Sequence, residues 1–341
     1  MISYEERNYK LFYIWLYTSL LLVFFMIVVG GLTRLTNSGL SITEWQLFTG
    51  ILPPLTEQKW VYYFSLYKKI PQFELLNSSM TMDEFKIIFY WEYFHRVLGR
   101  LIGLFFLIPL IYFYLTKKIS KKHLNICILI MCLIIFQGFL GWYMVKSGLI
   151  NNVTVSHYRL ASHLGTAFLI ILLIFWTLLN VKNFKFKIFF ENKKRNYPFY
   201  FLFLLLFSQI ILGAFVSGLD AGLIYQTWPL MNSSYFPDDY FLKTIKDFFN
   251  FENHGLVQFY HRNLAYLITL YIFVMGVYFY KSKFKEIYKH YYIVLFFLFL
   301  QIFLGIFTLI SGLNIYLASL HQIFSLLLTL SVLNLYYKFV K

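Results

Sequence analysis

Eight runs of apolar residues, most of about 20 positions or more, alternate with polar links along the chain, at 12–33, 87–115, 124–145, 158–180, 198–218, 256–280, 291–311 and 317–339. Lipid offers backbone groups no partner, so only helices and closed barrels cross it, and runs of this length are helical. The links differ in kind. Those after the second, fourth and sixth runs are strongly basic, with Lys117, Lys118, Lys121 and Lys122, then Lys182 to Arg195, then Lys281, Lys283, Lys285 and Lys289. The others mix signs or lack charge, so the basic links and both termini face the cytoplasm. The pattern predicts an all-α integral membrane protein with eight transmembrane helices, multi-pass in a bacterial inner membrane.

Composition mainly excludes alternatives. At 60% hydrophobic and 13% charged residues over 341 positions, the chain is not a soluble domain. The net charge of +15 reads as topology; no link is long enough to fold a basic face, which excludes a nucleic-acid partner. The stretch Met1 to Lys10 carries two acids and runs straight into the first span, resembling neither a transit peptide nor a cleaved signal. Cys127 and Cys132 stand five positions apart on one helix, too far round it for a mutual disulfide, and the outer links hold no cysteine.

Self-comparison changes the picture most. Gly30–Trp45 aligns without gaps on Gly213–Trp228 at a constant offset of 183, and Gln137–Gly141 with Ser147–Leu149 aligns on Gln301–Gly305 with Ser311–Leu313 at an offset of 164. Glu92-Tyr93-Phe94-His95-Arg96 faces Gln258-Phe259-Tyr260-His261-Arg262. The chain therefore reads as two pseudo-symmetric four-helix bundles, 1–180 and 181–341. Each even-numbered span carries a histidine about four to six residues below its outer boundary, roughly 6 to 9 Å deep. These are His95, His163, His261 and His321.

Ionisable side chains inside a bilayer are costly and mark sites. Neutral imidazole ligates iron, and facing helices of a bundle supply ligands from both sides of a flat cofactor. The pattern points to a His95/His163 site and a His261/His321 site toward the outer, periplasmic leaflet, each shaped for a haem with two axial histidines. His123 and His290 border basic links and are expected to be solvated; His157 is turned about 240° from His163; His254 is expected in an outer loop.

One departure from the repeat carries chemistry. Glu92 lies on the face of His95, where the second half has Gln258, which can neither act as a base nor hold charge. This assigns the chemistry to the first half and electron storage to the second. An ion pair from Glu92 to Arg96, one turn on, is the competing role, and both can hold. Arg34, Arg96, Arg159 and Arg262 are candidate partners for haem propionates, with an interhelical partner the alternative for Arg96 and Arg262 and interfacial snorkelling that for Arg34 and Arg159. The long outer links 34–86 and 219–255 are expected to cover the two sites.

At these residues the chain resembles the haem A synthase family. The resemblance is carried by Gly30–Ser41, Glu92-Tyr93-Phe94-His95-Arg96, Leu160–Gly165, His261-Arg262 and His321, in order over nearly the whole chain. It implies an oxidoreductase that converts the C8 methyl of haem O to a formyl group by successive hydroxylations with oxygen from water. It further implies that His95 and His163 flank substrate haem O, that His261 and His321 ligate a haem b cofactor, and that Glu92 is the catalytic acid residue. One branch of the family has a cysteine pair in an outer loop; this chain lacks it, so a thiol step there is not expected. Haem O synthase and a membrane electron acceptor are the implied partners. The rival reading is a two-haem electron carrier of the cytochrome-b or quinol oxidoreductase type. A secondary transporter also has repeated halves, but that reading does not explain four histidines at one depth.

Overall fold

The structure is a computed structural model that describes residues 4–45, 49–151, 153–241 and 243–340, with backbone alone for 4–8, 49 and 147–151. Met1, Ile2 and Ser3, and the side chains of the Ser147–Leu149 repeat, lie outside the described residues.

Ten α-helices, with five short 3-10 turns between them, make up the regular structure of the described residues: α1 (Tyr4–Leu35), α2 (Glu57–Tyr67), α3 (Pro71–Leu76), α4 (Met82–Thr116), α5 (Lys121–Asn151), α6 (His157–Lys182), α7 (Tyr197–Gly218), α8 (His254–Lys281), α9 (Tyr288–Ile310) and α10 (Ile315–Phe339). No strand occurs among the described residues. All but α2 and α3 are long and apolar enough to cross a membrane. Their surfaces are inverted relative to a soluble protein, with Leu104, Ile108, Leu129, Ile135, Leu270 and Phe299 exposed along the spans. That is the surface lipid tails require.

The chain forms two compact units, Met1–Ile174 and Phe175–Lys341, divided within α6. In the first, α4 packs against α1 and α5. Aromatic rings of α1 and α4 fill the seam: Phe12 meets Phe113 edge-on at 5.4 Å, and Trp15 lies 4.8 Å from Phe106. In the second unit α7, α8, α9 and α10 touch in cyclic order, a closed four-helix bundle. Phe199, Phe279, Tyr336 and Phe339 close one end of it. Lys187 and Arg195 donate to the carbonyls of Tyr337 and Phe339 at 2.8 and 2.7 Å, satisfying the orphan acceptors at the end of α10.

Backbone conformations follow the repeat. Asn37 and Asp220, 183 positions apart, both adopt the left-handed region at φ 52° and 50° in the turns after α1 and α7. Asn and Asp tolerate that region because their short side chains bond locally. Lys117 and Lys283 end α4 and α8 the same way, at φ 52° and 55°.

The first long link folds. Thr56 caps α2 by accepting from the Lys59 amide, and Pro71 opens α3 at a position where a missing N–H costs nothing. Trp60, Phe64, Tyr67 and Ile70 from this link bury against Leu40, Ile42, Phe85 and Phe89. Thr81 and Glu84 form a reciprocal capping box that starts α4 five residues before the apolar run begins.

Candidate functional site

Each of the four histidines lies on an even-order span and presses its ring against a glycine of the preceding span. A Cβ built on Gly30 would come 3.1 Å from His95 Nε2; on Gly141, 3.3 Å from His163 Cε1; on Gly213, 3.1 Å from His261 Cε1; on Gly305, 2.8 Å from His321 Cε1. At Gly305 a Cβ would stand closer than real ones do, and at the other three it would be tight enough that the ring would have to give by a few tenths of an ångström. The histidines then meet in pairs. His95 and His163 have ring centroids 6.4 Å apart, and His261 and His321 6.5 Å apart.

A metal bonded at about 2 Å to each of two rings of roughly 1 Å radius sets their centroids on the order of 6 Å apart. Both spacings suit one iron held between two imidazoles. The glycine cradles and the all-nitrogen donor set fit a haem for the same reason, since a flat macrocycle needs ligands from opposite sides and close helix approach beside them. His95 is 13 residues into α4, whereas His163 is 6 residues into α6. The extra length of α4 projects into the folded link, so the two rings still meet.

A glutamine stands one turn before three of the four glycines. Gln137 donates to the His163 carbonyl at 2.9 Å. Gln209 donates to the His261 carbonyl at 3.0 Å and reaches that ring's Nε2 at 3.4 Å. Gln301 reaches His321 Nε2 at 3.3 Å, and its backbone carbonyl is 3.1 Å from His321 Nδ1.

Glu92 is buried and fully engaged. One carboxylate oxygen accepts from Ser41 Oγ at 2.7 Å and the Ile42 amide at 2.8 Å; the other accepts from Arg96 Nε and Nη2 at 3.0 and 2.6 Å. Arg96 also donates to the carbonyls of Ile42 and Glu44 at 2.8 and 3.3 Å, and stacks 5.4 Å from the Trp45 ring centre. In the second unit Gln258 and Arg262 both donate to the Tyr225 carbonyl at 2.9 Å, and Arg262 to that of Leu230 at 3.2 Å. Ile42 and Tyr225 are the same repeat position. The pairs thus staple equivalent points of the two long links to α4 and α8, by a carboxylate accepting an N–H in one unit and an amide donating to a C=O in the other. Arg262 Nε and Gln258 Oε1 are left buried without partners, the bond that Glu92 and Arg96 make.

A cavity of about 290 Å³ lies over this clamp, lined by Thr43, Glu44, Trp45, Arg96, Trp142 and Val145 among others. Nearby, burial raises the Tyr67 hydroxyl above its ordinary pKa, the Asn77 amide opposes this, and the charge of Glu92 adds to it. Burial and hydrogen bonds to Asp239 and Asp238 likewise hold the Tyr225 phenol well above the usual range.

The remaining candidates are spread out. Arg34 donates to Asn37 Oδ1 at 2.8 Å within its own turn, and Arg159 lies 4.8 Å over the Tyr143 ring. Two expectations are corrected. His123 is buried, not solvated, with its ring 5.6 Å from Phe12 and Nδ1 2.9 Å from Ser120 Oγ, because α1 covers the start of α5 there. His254 opens α8 under the Asn253 cap instead of lying in a loop. His157 is buried beside Tyr158, and His290 meets Asn334 at 3.2 Å. Cys127 is buried and Cys132 exposed, both as free thiols.

A family model described as cytochrome oxidase assembly protein, COX15-CtaA, matches residues 13–333. The chain belongs to this family. Its relatives include proteins named heme A synthase in Pelagibacter ubique, 48% identical with 99% of each chain covered, and Parvibaculum lavamentivorans, 47% identical over 79% of this chain and 78% of the other. A third, in Flavobacterium psychrophilum, is 40% identical over 98% and 100% of the two chains. In this COX15-CtaA chain all four histidines, their four glycines and Glu92 lie within the matched span.

Proposed function

We propose that the chain is a haem A synthase, oxidising the C8 methyl of haem O to the formyl group of haem A with oxygen taken from water. The observation that carries the reading is the pair of histidine couples at 6.4 and 6.5 Å, each backed by glycines, in a chain akin over its full length to proteins named for this activity. His95 and His163 hold substrate haem O, and His261 and His321 hold haem b. When bound, haem b supplies reversible one-electron acceptance. Haem O comes from a haem O synthase, and a further membrane component accepts the electrons. The protein lies in the bacterial inner membrane with both termini cytoplasmic and its haem sites toward the periplasm, as the lysine-rich links support.

Turning a methyl into a formyl group consumes one water and releases four protons and four electrons. Positive charge therefore develops at the carbon as electrons leave, and a fixed carboxylate nearby lowers that cost. Glu92 suits the task because it shares a helix face with His95. A carboxylate has about four acceptor positions, and its four hydrogen bonds fill them. As a base it has to give up one of these bonds; as a held charge it gives up none. The geometry favours the held charge, with Ser41 and the Ile42 amide fixing one oxygen and Arg96 the other. Arg96 lines the cavity above and keeps the link closed over the site.

The test is Glu92→Gln. Gln258 already performs the stapling role in the second unit, so the variant is expected to fold and to keep its haem, while haem A formation falls by about a hundredfold or more. Pigments extracted from the purified protein and resolved by mass give the readout. Wild-type output from E92Q removes Glu92 from the chemistry, and a wild-type protein that carries haem b but never haem O or haem A favours the electron carrier instead.

A further inference from the structure

The cavity over the Glu92 and Arg96 clamp lies beside the first histidine couple. Arg96 follows His95 on α4, Trp142 follows Gly141 on α5, and Val145 stands one turn further along α5, about 6 Å nearer the long link. Its walls carry unpaired donors. Among the described residues, the Thr43 hydroxyl, the indole N–H groups of Trp45 and Trp142 and the Lys146 ammonium have no hydrogen-bond or ion-pair partner. Lys146 lies 5.0 Å from the Trp142 ring centre. Arg96 adds charge but little capacity, since its nitrogens already donate to Glu92 and to two link carbonyls. The one carboxylate in the lining, Glu44, accepts from the Tyr62 hydroxyl at 2.9 Å.

In the second unit each of these donors is satisfied or missing. Trp228, at the repeat position of Trp45, donates to the Tyr266 hydroxyl at 2.9 Å. Gln226, at that of Thr43, donates to the Leu223 carbonyl at 3.5 Å. Trp142 and Lys146 are replaced by Ile306 and Ile310, which have nothing to donate. The helices differ as well, for α5 continues past Lys146 to Asn151, whereas α9 stops at Ile310. The donor-lined wall therefore belongs to the first unit.

An ammonium, two indole N–H groups and a hydroxyl, all without acceptors, suit an anion with several acceptor oxygens. Haem O carries two propionate carboxylates and no other anionic side chain. We infer that this cavity is the subsite that takes a propionate carboxylate of the substrate, with Lys146 as its charged partner and the two indoles as donors beside it. The inference rests on the functional reading above and adds to it the group by which the first unit recognises its haem. It places that role on a lysine that no other residue engages, since the arginines that follow the histidines are held by the links.

The experiment titrates full-length, detergent-solubilised protein with haem O and with haem O dimethyl ester, whose carboxylates are capped. Uptake is followed by absorption and checked by extracting the pigments and resolving them by mass. The unaltered chain is expected to bind the diester about tenfold more weakly than haem O. Lys146→Ile, which copies the second unit, is expected to weaken haem O binding about fivefold and diester binding hardly at all, with haem b content unchanged. Lys146→Arg keeps the charge and is expected to keep haem O binding. Equal affinity of the unaltered chain for haem O and its diester overturns the inference without any substitution, and a cavity that takes a lipid phosphate instead gives that same result. An equal loss for both ligands in K146I also overturns it, because packing and not charge is then what Lys146 supplies. The site assignment beneath it fails separately: haem O uptake that survives replacement of His95 and His163 together refutes that couple as its holder.

Discussion

A single methyl group separates Gly305 from alanine, yet it has nowhere to go, because it would stand 2.8 Å from His321 Cε1 and 3.3 Å from Nδ1. Alanine is ordinarily the better helix former by about 1 kcal/mol, so Gly305→Ala pits propensity against overpacking that costs about 1 to 3 kcal/mol. The expected outcome is a protein of unchanged helicity whose haem b occupancy falls severalfold. Gly138→Ala, where nothing lies within 4 Å, is the matched control and is expected to keep its haem. Equal occupancy in the two variants, measured by pyridine haemochrome, refutes the cradle. These glycines stood in plain view in the repeat, as Gly30 with Gly213 and Gly141 with Gly305, but as letters they were indistinguishable from turn residues. Their role emerges only when a neighbouring helix brings a ring to them. The same holds for Arg96 and Arg262, which their repeated place directly after a histidine suggested as propionate partners and which the structure has donating to link carbonyls.

Whole elements were legible where one physical rule dominates. The eight spans follow from lipid's demand for apolar length, and their limits lie within a few residues of the expected ones, except that α1 begins at Tyr4 and not 12, α4 begins at Met82 and not near 87, and α5 ends at Asn151 and not 145. At α4 the rule changes from hydropathy to capping, since Thr81 and Glu84 start a helix in polar sequence. The helices α2 and α3 were invisible for a related reason: their apolar side chains pair with Leu40, Phe85 and Phe89, residues distant in sequence, and form a small core of the kind found in soluble proteins. Trp60 sits in that core, 5.0 Å from Phe89 and 6.5 Å from Phe85. Trp60→Ala is expected to cost about 3 to 5 kcal/mol there, more than an isolated cover can lose. Residues 57–77 are then expected to exchange amide hydrogens fast while the spans stay protected, and unchanged protection of 57–77 contradicts the idea that this core holds the cover down.

At the scale of the molecule, the repeat is a way of making two nearly identical sites and then distinguishing them by a few substitutions. Each histidine couple and its glycines come from helices of one unit: α1, α4, α5 and α6 before Ile174, and α7 to α10 after it. Nothing in either couple is borrowed from the other unit, so the two sites are expected to load independently. Replacing His261 and His321 together with alanine removes the histidine couple from one bundle and leaves His95, His163, Gly30 and Gly141 untouched. The expected product is a folded protein without haem b that still takes up haem O and yields little or no haem A, because the electrons released at the methyl group have no resident acceptor. The reverse replacement, at His95 and His163, is expected to keep haem b and lose haem O. Separate titration of the two pigments reads both results directly. If one pair of substitutions empties both sites together, the bundles are not independent haem holders, and the proposed division of labour between Glu92 and Gln258 loses its basis.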